Sequence, residues 1–566
     1  MKKVQSCLIL LAILLFSDSC RKNFLNTEPQ GTISPSQLNN LNGIESALVG
    51  AYTMLNGSKS GTWGTYAGAS DLWLWGDVAA DNAHKGSDPG DQSDLFAIET
   101  HNPITTNTSL SEIWTRRFEG VTRCNNVLKL LNETPNVKST ARGIVIEAEA
   151  KFLRAHYYFD LWKIFKYVPY VTDSSNNPSS VPNDHDILPD IERDMLFAEQ
   201  NLPLSKPLGD VGRADKIAAE AYLGKIYLYE EKYQDALPLF RDVIASRPDL
   251  TTLDYRDNFD VTKRNGPETI FAVQASVNDA ANGQRGNVGD MLNGPLAAGL
   301  PVSCCGFLAP TFDLVNSFLV DDNGLPLFGG FHSSYFPSSY DPNFTVPVDL
   351  RLDPRLDYTV GRQGIPYRDW GIMAGNSWVR NPGYDGPFIS YKTVTDASGI
   401  AAHTQAGANN LSDLNINIIR LADVYLMAAE CAVKTGDLTY ALSLVNDVRA
   451  RAAKLPDKKI MQNGSLVDAA NYDVGLYPSF PNQDYAMKAV EWERRMELSL
   501  EGFRYFDLRR WGILEQTLSD YSVYESKKLD YVVPIDGGGS LAKNGFFYPI
   551  PQSEIDNSKG VLKQHF

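Results

Sequence analysis

The sequence predicts a mainly α protein: a tetratricopeptide-like helical-repeat core, an α-solenoid, that carries a loop-rich insert with short strands. Three observations predict it. A repeat signature with fixed offsets runs through AYLGKIYLYEEKYQDALPLFRDVIASRP from Ala221, and a second helical pair runs from Ile419 to Ala452. Between them, from about Pro301 to Leu411, Gly, Pro, Asn and aromatic residues replace helical periodicity. With 566 residues, 43% of them apolar and 21% charged, the chain is long enough to bury a large core.

Taken in order, the first element is a signal. Lys2 and Lys3 precede an apolar run from Val4 to Phe16, then Ser17-Asp18-Ser19 and Cys20. This is the shape of a secretory signal peptide over 1–19. The apolar run falls short of the roughly 20 residues a membrane span needs. A cysteine just after such a cleavage zone is what bacterial lipoprotein processing acylates, so Cys20 is the expected lipidated N-terminus, although Ser17 stands where Leu is usual. The remainder, 20–566, reads as one domain: helical core over about 20–300 and 411–566, and a loop-rich ligand-binding insert over about 301–410.

Within the core, Glu147 to Phe165 has Phe152, Ala155, Tyr158, Phe159 and Trp162 at helical spacing. In the repeat, Leu223, Gly224, Tyr227, Ala236, Phe240 and Pro248 occupy the signature positions, small residues standing where two helices touch. In the second pair, Gly436 and Ala441 fall at the turn and the helix contact. A fourth helical segment is expected over Ala489 to Trp511. In the insert, Trp378-Val379 and Phe388-Ile389-Ser390-Tyr391 read as small strands, and a shorter excursion from Gly57 to Pro103 has the same texture.

The chemistry is narrowed by what is missing. A formal net charge of −16 argues against a nucleic-acid partner. No HExxH, GxSxG, P-loop or GxGxxG motif is present, and the seven histidines are dispersed, so neither a cofactor nor a metal is expected. Cys124 and Cys431 read as small buried hydrophobes, Cys304-Cys305 lacks zinc partners, and the cysteines are too scattered for a disulfide framework. Glu493, Glu497 and Glu501, four residues apart among arginines, are expected in interhelical and i,i+4 ion pairs; one helix face does not straddle a sugar as a glycosidase's carboxylates must. Asp88, Asp91 and Asp94 lack calcium-loop spacing and read as a solvated loop.

Sugar binding needs flat apolar faces beside amides and carboxylates. Two places offer that mixture. One holds Trp63, Tyr66, Trp73 and Trp75, followed by Asp81, Asn82 and Lys85. The other, inside the insert, holds Tyr367, Arg368, Asp369, Trp370, Asn376, Trp378, Arg380 and Tyr384. Trp73 and Trp75, two apart, cannot share a helix face, so one is expected at the surface. Trp370 and Trp378, flanked by Gly371, Gly375 and Gly383, are the stronger candidates.

Six segments in order resemble the SusD/RagB family of outer-membrane nutrient-uptake lipoproteins: FLNTEPQGTIS with GIESALVGAY, RRFEGVTRCNNVL, AEAKFLRAHYYFDLWKIFKYVPYV, RLDPRL, ERRMELSLEGFRYFDLRRWG and FFYPIPQSEI. The resemblance covers nearly the whole mature chain. It implies a non-catalytic, lipid-anchored protein of the outer membrane, facing outward, that captures an oligosaccharide and caps a SusC-like TonB-dependent transporter. A peptide-binding RagB-like role is the alternative, and a surface glycosidase a remote one. The chain departs from the pattern at Arg21-Lys22, where surface-exported members commonly carry acidic residues.

Overall fold

The computed structural model describes residues 38–57, 66–329, 347, 349–407 and 410–565, so Cys20 and Trp63 lie outside the described residues. The helices that build the frame are α1 (Leu41–Tyr52), α2 (Ser93–Glu99), α3 (Thr108–Glu133), α4 (Ala141–Phe165), α5 (Leu188–Asn201), α6 (Lys216–Tyr229) and α7 (Tyr233–Ala245). After a long excursion come α8 (Leu421–Thr435), α9 (Leu438–Ala452), α10 (Gln483–Leu498), α11 (Arg504–Arg510) and α12 (Leu514–Glu525). Side-chain caps set several of the starts. Asn107, Thr140, Asp215, Asp437 and Asn482 each accept a hydrogen bond from a first-turn backbone N–H that the helix itself leaves open.

Helices α3 to α10 pack each on the next in a mostly helical solenoid. The repeat spacing has a direct structural cause. A Cβ placed on Gly224 of α6 would lie 2.6 Å from the Phe240 ring of α7, so only glycine lets the two helices approach this closely. Gly436, with φ +88°, ends α8 in the left-handed conformation that glycine adopts without penalty. A further close contact, unmarked by the repeat signature, sets Gly120 of α3 against the Tyr157 ring of α4, where a Cβ on Gly120 would lie 2.6 Å from the ring.

The stack is continuous across the excursion: α7 packs directly on α8 although residues 246–420 lie between them. Strands β2 (Thr269–Val273) and β9 (Ile416–Arg420) close the base of that excursion as an antiparallel pair. Inside it, pairing is short: β3 (Phe307–Pro310) pairs with β1 (Ala83–Gly86), β4 (Arg351–Leu352) runs parallel to the later Asn471–Tyr472, β5 (Val360–Gly361) pairs with β8 (Ile389–Ser390), and β6 (Pro366–Tyr367) with β7 (Gly371–Ile372). Beyond α9, β10 (Lys459–Gln462) and β11 (Ser465–Asp468) form a hairpin. Of the strand expected over Phe388-Ile389-Ser390-Tyr391 the two central residues, Ile389–Ser390, form one, whereas Trp378 ends a 3₁₀ turn, Gly375–Trp378, instead of starting a strand.

The helical segment expected over Ala489 to Trp511 is two helices, α10 and α11. The break follows from the chain passing beneath it. The amides of Leu500 and Gly502 donate to the Asp77 carboxylate at 3.0 and 2.6 Å, and a Cβ on Gly76 would lie 2.1 Å from the backbone of Gly502. Glu493 and Glu497 of α10 are structural. Glu497 meets Arg420 at 2.7 Å, Arg355 at 3.1 Å and also Arg451; Glu493 meets Arg355 at 2.7 Å and Arg449 at 2.9 Å. Burial opposes the charge on Glu497, but the three guanidiniums outweigh it and hold its carboxyl far below the usual range. Glu501, past the helix end, takes Arg420 at 2.7 Å and Lys392 at 2.6 Å. The network joins α9, α10, β9 and the RLDPRL segment.

Cys304 and Cys305 are bonded to each other, a local link rather than a framework, and Cys124 and Cys431 are buried free thiols. No helix among the described residues is long and apolar enough to cross a membrane.

Candidate functional site

In the first candidate cluster Trp73, Trp75, Asp81 and Asn82 are core, while Tyr66 is half-buried. Trp73 is 1% exposed and Trp75 0%, which overturns the expectation that one of them faces solvent. They lie at a tight π-helical turn, Leu74–Val78, and both faces of that turn are covered. The Trp73 indole N–H donates to Gly289 O at 2.9 Å and the ring meets Phe307; that of Trp75 donates to Ala67 O at 2.8 Å, with the Tyr548 ring edge-on at 5.2 Å. Asp81 is buried and bound by Arg504 at 2.8 Å and Arg495 at 3.1 Å. Burial raises its pKa, but the two arginines overcome it and hold the carboxyl at about 2. Asn82 is buried too, donating to Asp77 and accepting from Arg495. None of these four can reach a sugar, because α10, α11 and the insert lie over them.

The second cluster divides by depth. Tyr367, at the end of β6, is buried and its hydroxyl donates to Ser390 O at 2.5 Å. Two indoles rest edge-on against its ring, Trp370 at 5.6 Å and Trp378 at 5.9 Å, with their own centroids 6.4 Å apart. The turn that lifts Trp370 depends on Gly371 at φ +111°, a conformation L side chains rarely adopt. Trp370 and Trp378 are both half-buried, and Ile372 beside them is exposed. The Trp370 N–H is fixed on Thr395 O at 3.0 Å. Asn376 lies on the 3₁₀ turn that presents Trp378, and its side-chain oxygen is buried without a hydrogen-bond partner among the described residues. Tyr367 is therefore a pedestal, and Trp370, Trp378 and Asn376 form the face above it.

Arg380 and Tyr384 do not join that face. The Arg380 guanidinium clasps Asp88 at 2.7 Å, Asp91 at 2.8 Å and Ser87 at 2.6 Å. Tyr384 is buried with its ring 4.2 Å from Tyr531 and the Lys85 ammonium 5.4 Å from its face. These residues hold the insert down on β1. The aspartate loop is consequently paired rather than freely solvated, and Asp94 accepts from Thr108 N at the start of α3 at 2.9 Å. No group of three metal-ligating side chains occurs among the described residues.

Beside the indole pair opens a cavity of about 770 Å³, walled by Arg256, Phe259, Tyr358, Arg368, Tyr391 and Lys458 among others. That is within the size range of small-molecule sites. Lys458 carries no sequence signal for this role; it stands just before β10, far along the chain from the insert.

A helical-repeat frame thus carries an aromatic face raised on a long insert. The chain belongs to the SusD family, whose model matches residues 267–565, while a second model, described as starch-binding associating with outer membrane, matches residues 23–228. It is similar to SusD-like protein P25 of Formosa agariphila, 23% identical over 549 residues and 92% of each chain. Among solved structures, a laminarin-binding SusD-like protein aligns with TM-score 0.64 at 22% identity, over 93% of this chain and 99% of the other. Surface glycan-binding protein A from Bacteroides thetaiotaomicron, solved in complex with laminarihexaose, aligns with TM-score 0.65 at 20% identity, over 92% and 99%.

Proposed function

We propose that the protein binds an oligosaccharide on the face formed by Trp370, Trp378 and Asn376, without catalysis, and passes it to a SusC-like TonB-dependent transporter in the outer membrane. The observation that carries this reading is the pair of half-exposed indoles held edge-on to a buried tyrosine. Such a face is rigid before the ligand arrives, so little ordering entropy is lost on binding. The apolar ring surfaces take the C–H face of a sugar. The carboxylates nearest a catalytic pattern, Glu493 and Glu497, are spent on arginines inside the frame.

Cys20, acylated, would anchor the chain to the outer membrane, facing outward, with 20–566 acting as one unit whose insert bears the ligand. The binding test is titration of the protein with a panel of soluble oligosaccharides, with saturable binding expected for at least one. Failure of every glycan, together with peptides that co-purify with the protein and its transporter, would overturn the sugar reading in favour of a peptide ligand. Cys20→Ala protein should leave the membrane in the absence of the transporter and still bind.

A further inference from the structure

The cavity beside the indole pair is lined by acidic and basic side chains in equal number, and one buried cation on its wall, Lys458, has no carboxylate against it. On its wall Asp254 pairs with Arg256 at 2.6 Å, and Asp396 with Arg368 at 3.2 Å. Asp369 accepts from the amides of Ala397 and Ser398, and Asp260 from Thr262. Asp257 remains; burial and the neighbouring Asp254 raise its pKa, and Lys263 opposes them only in part. Lys458 is different. The residue is 9% exposed, and its ammonium donates to Pro366 O at 2.7 Å. Otherwise it is flanked by the ring faces of Tyr391 at 4.3 Å and Tyr358 at 4.7 Å, with no carboxylate oxygen within 4.0 Å among the described residues. The Arg368 guanidinium sits over the same Tyr391 ring at 4.6 Å. A buried ammonium without a counter-charge is unfavourable, and ring faces offset only part of that cost.

We propose that this cavity is a subsite for the anionic group of an acidic sugar, a uronate carboxylate or a sulfate ester, with Lys458 as its direct partner and Arg368 beside it. The inference rests on the glycan-binding reading of the Trp370–Trp378 face and specifies its ligand class. The two places adjoin: Arg368 and Asp369 line the cavity, and Trp370 follows them on the same turn. An anion entering here supplies the charge that Lys458 lacks.

The surroundings also set a pH dependence. Burial pulls the Lys458 pKa down to about 7; Asp357 and Asp396 favour its charged form, while Arg368 and Arg362 oppose it. Arg362 is itself held by Asp357 at 2.7 Å, and Arg368 by Asp396, so their charges are largely answered. Lys458 is then mostly protonated at about pH 6 and mostly neutral at about pH 8, and affinity for an anionic ligand falls across that interval.

The test is titration of the full chain with tetrasaccharides of galacturonate, of sulfated galactose and of glucose, at low and high salt. At about pH 6 and low salt, one of the acidic ligands should bind about tenfold or more tighter than the glucose ligand, and that preference should shrink in high salt. Lys458→Met should abolish the preference while leaving the glucose ligand's affinity unchanged. Lys458→Arg, charged throughout, should keep acidic-ligand binding and flatten its pH dependence. The two acidic arms decide between carboxylate and sulfate. Equal affinity for acidic and neutral ligands, or an unaltered preference in Lys458→Met, overturns the subsite; neutral binding that Trp378→Ala still weakens would leave the glycan reading standing alone. If no tetrasaccharide binds, the subsite falls, and the wider glycan panel decides the glycan reading.

Discussion

The two aromatic clusters look alike along the chain and differ completely in the fold. Trp73 and Trp75 sit among Gly, Asp and Asn, as Trp370 and Trp378 do. Yet the first pair is sealed under Gly289, Phe307 and Tyr548, each hundreds of residues away, and both of its indole N–H groups are satisfied within the fold. The second pair rests on a local pedestal, Tyr367, and both of its indoles are only half-buried. The difference teaches that aromatic content marks a possible surface only when the partners are local. Where distant chain closes over a cluster, the same residues become core.

That contrast can be broken most sharply at Trp75. Trp75→Ala should destabilise the protein by about 3–5 kcal/mol, the usual loss for a large buried aromatic, seen as a lower denaturant midpoint. A change below about 1 kcal/mol would mean that the cluster is not core.

Close behind comes His84, which lies beneath the Arg380 clasp, between Glu99 at 3.0 Å and Glu525 at 3.7 Å. Burial lowers its pKa, but Glu525 and Glu99 outweigh that and raise it to about 9. A group whose folded pKa lies above its unfolded value stabilises fully below the unfolded value, here 6.5, and loses that stabilisation as pH rises through about 9. The shift amounts to about 3 kcal/mol. The stability difference between wild type and His84→Gln should therefore shrink between about pH 6.5 and pH 9; a constant difference would show that His84 is neutral in the fold.

A smaller effect is expected at Trp378. It is half-buried and its indole N–H has no hydrogen-bond partner among the described residues, so Trp378→Ala should cost no more than about 1.5 kcal/mol. A larger loss would turn the proposed face into packing. The smallest stability effect should be that of Arg380→Ala, below about 1 kcal/mol because the ion pairs are partly exposed. Its consequence should be local: faster amide exchange over residues 366–391 with the helical stack unchanged. Uniform exchange changes would show that the clasp is not what holds the insert.

Much of the frame was legible because its signals are short-range. Gly224 and Phe240 are 16 residues apart on adjoining helices, and the need for a bare Cα at their contact is written in the repeat itself. The spacing of Glu493 and Glu497 likewise announces one helix face, and arginines from elsewhere fill it. The break at Ser499 was hidden because its cause, Asp77, lies more than 400 residues earlier. The base of the insert was hidden for the same reason, since β2 and β9 pair across a long gap. At the site, Trp370 and Trp378 were readable from glycine-flanked aromatics. Arg380 and Tyr384 carried the same texture, but only the fold shows them turned down onto β1, and Lys458 meets Tyr391 only in three dimensions.

The most direct measurement is calorimetric titration of the tightest-binding oligosaccharide into wild type and into Trp370→Ala/Trp378→Ala, with melting curves recorded for both. The result expected is a loss of at least about tenfold in affinity in a variant that still melts cooperatively. A folded double variant that binds as tightly as wild type would contradict the assignment of the indole face as the glycan site.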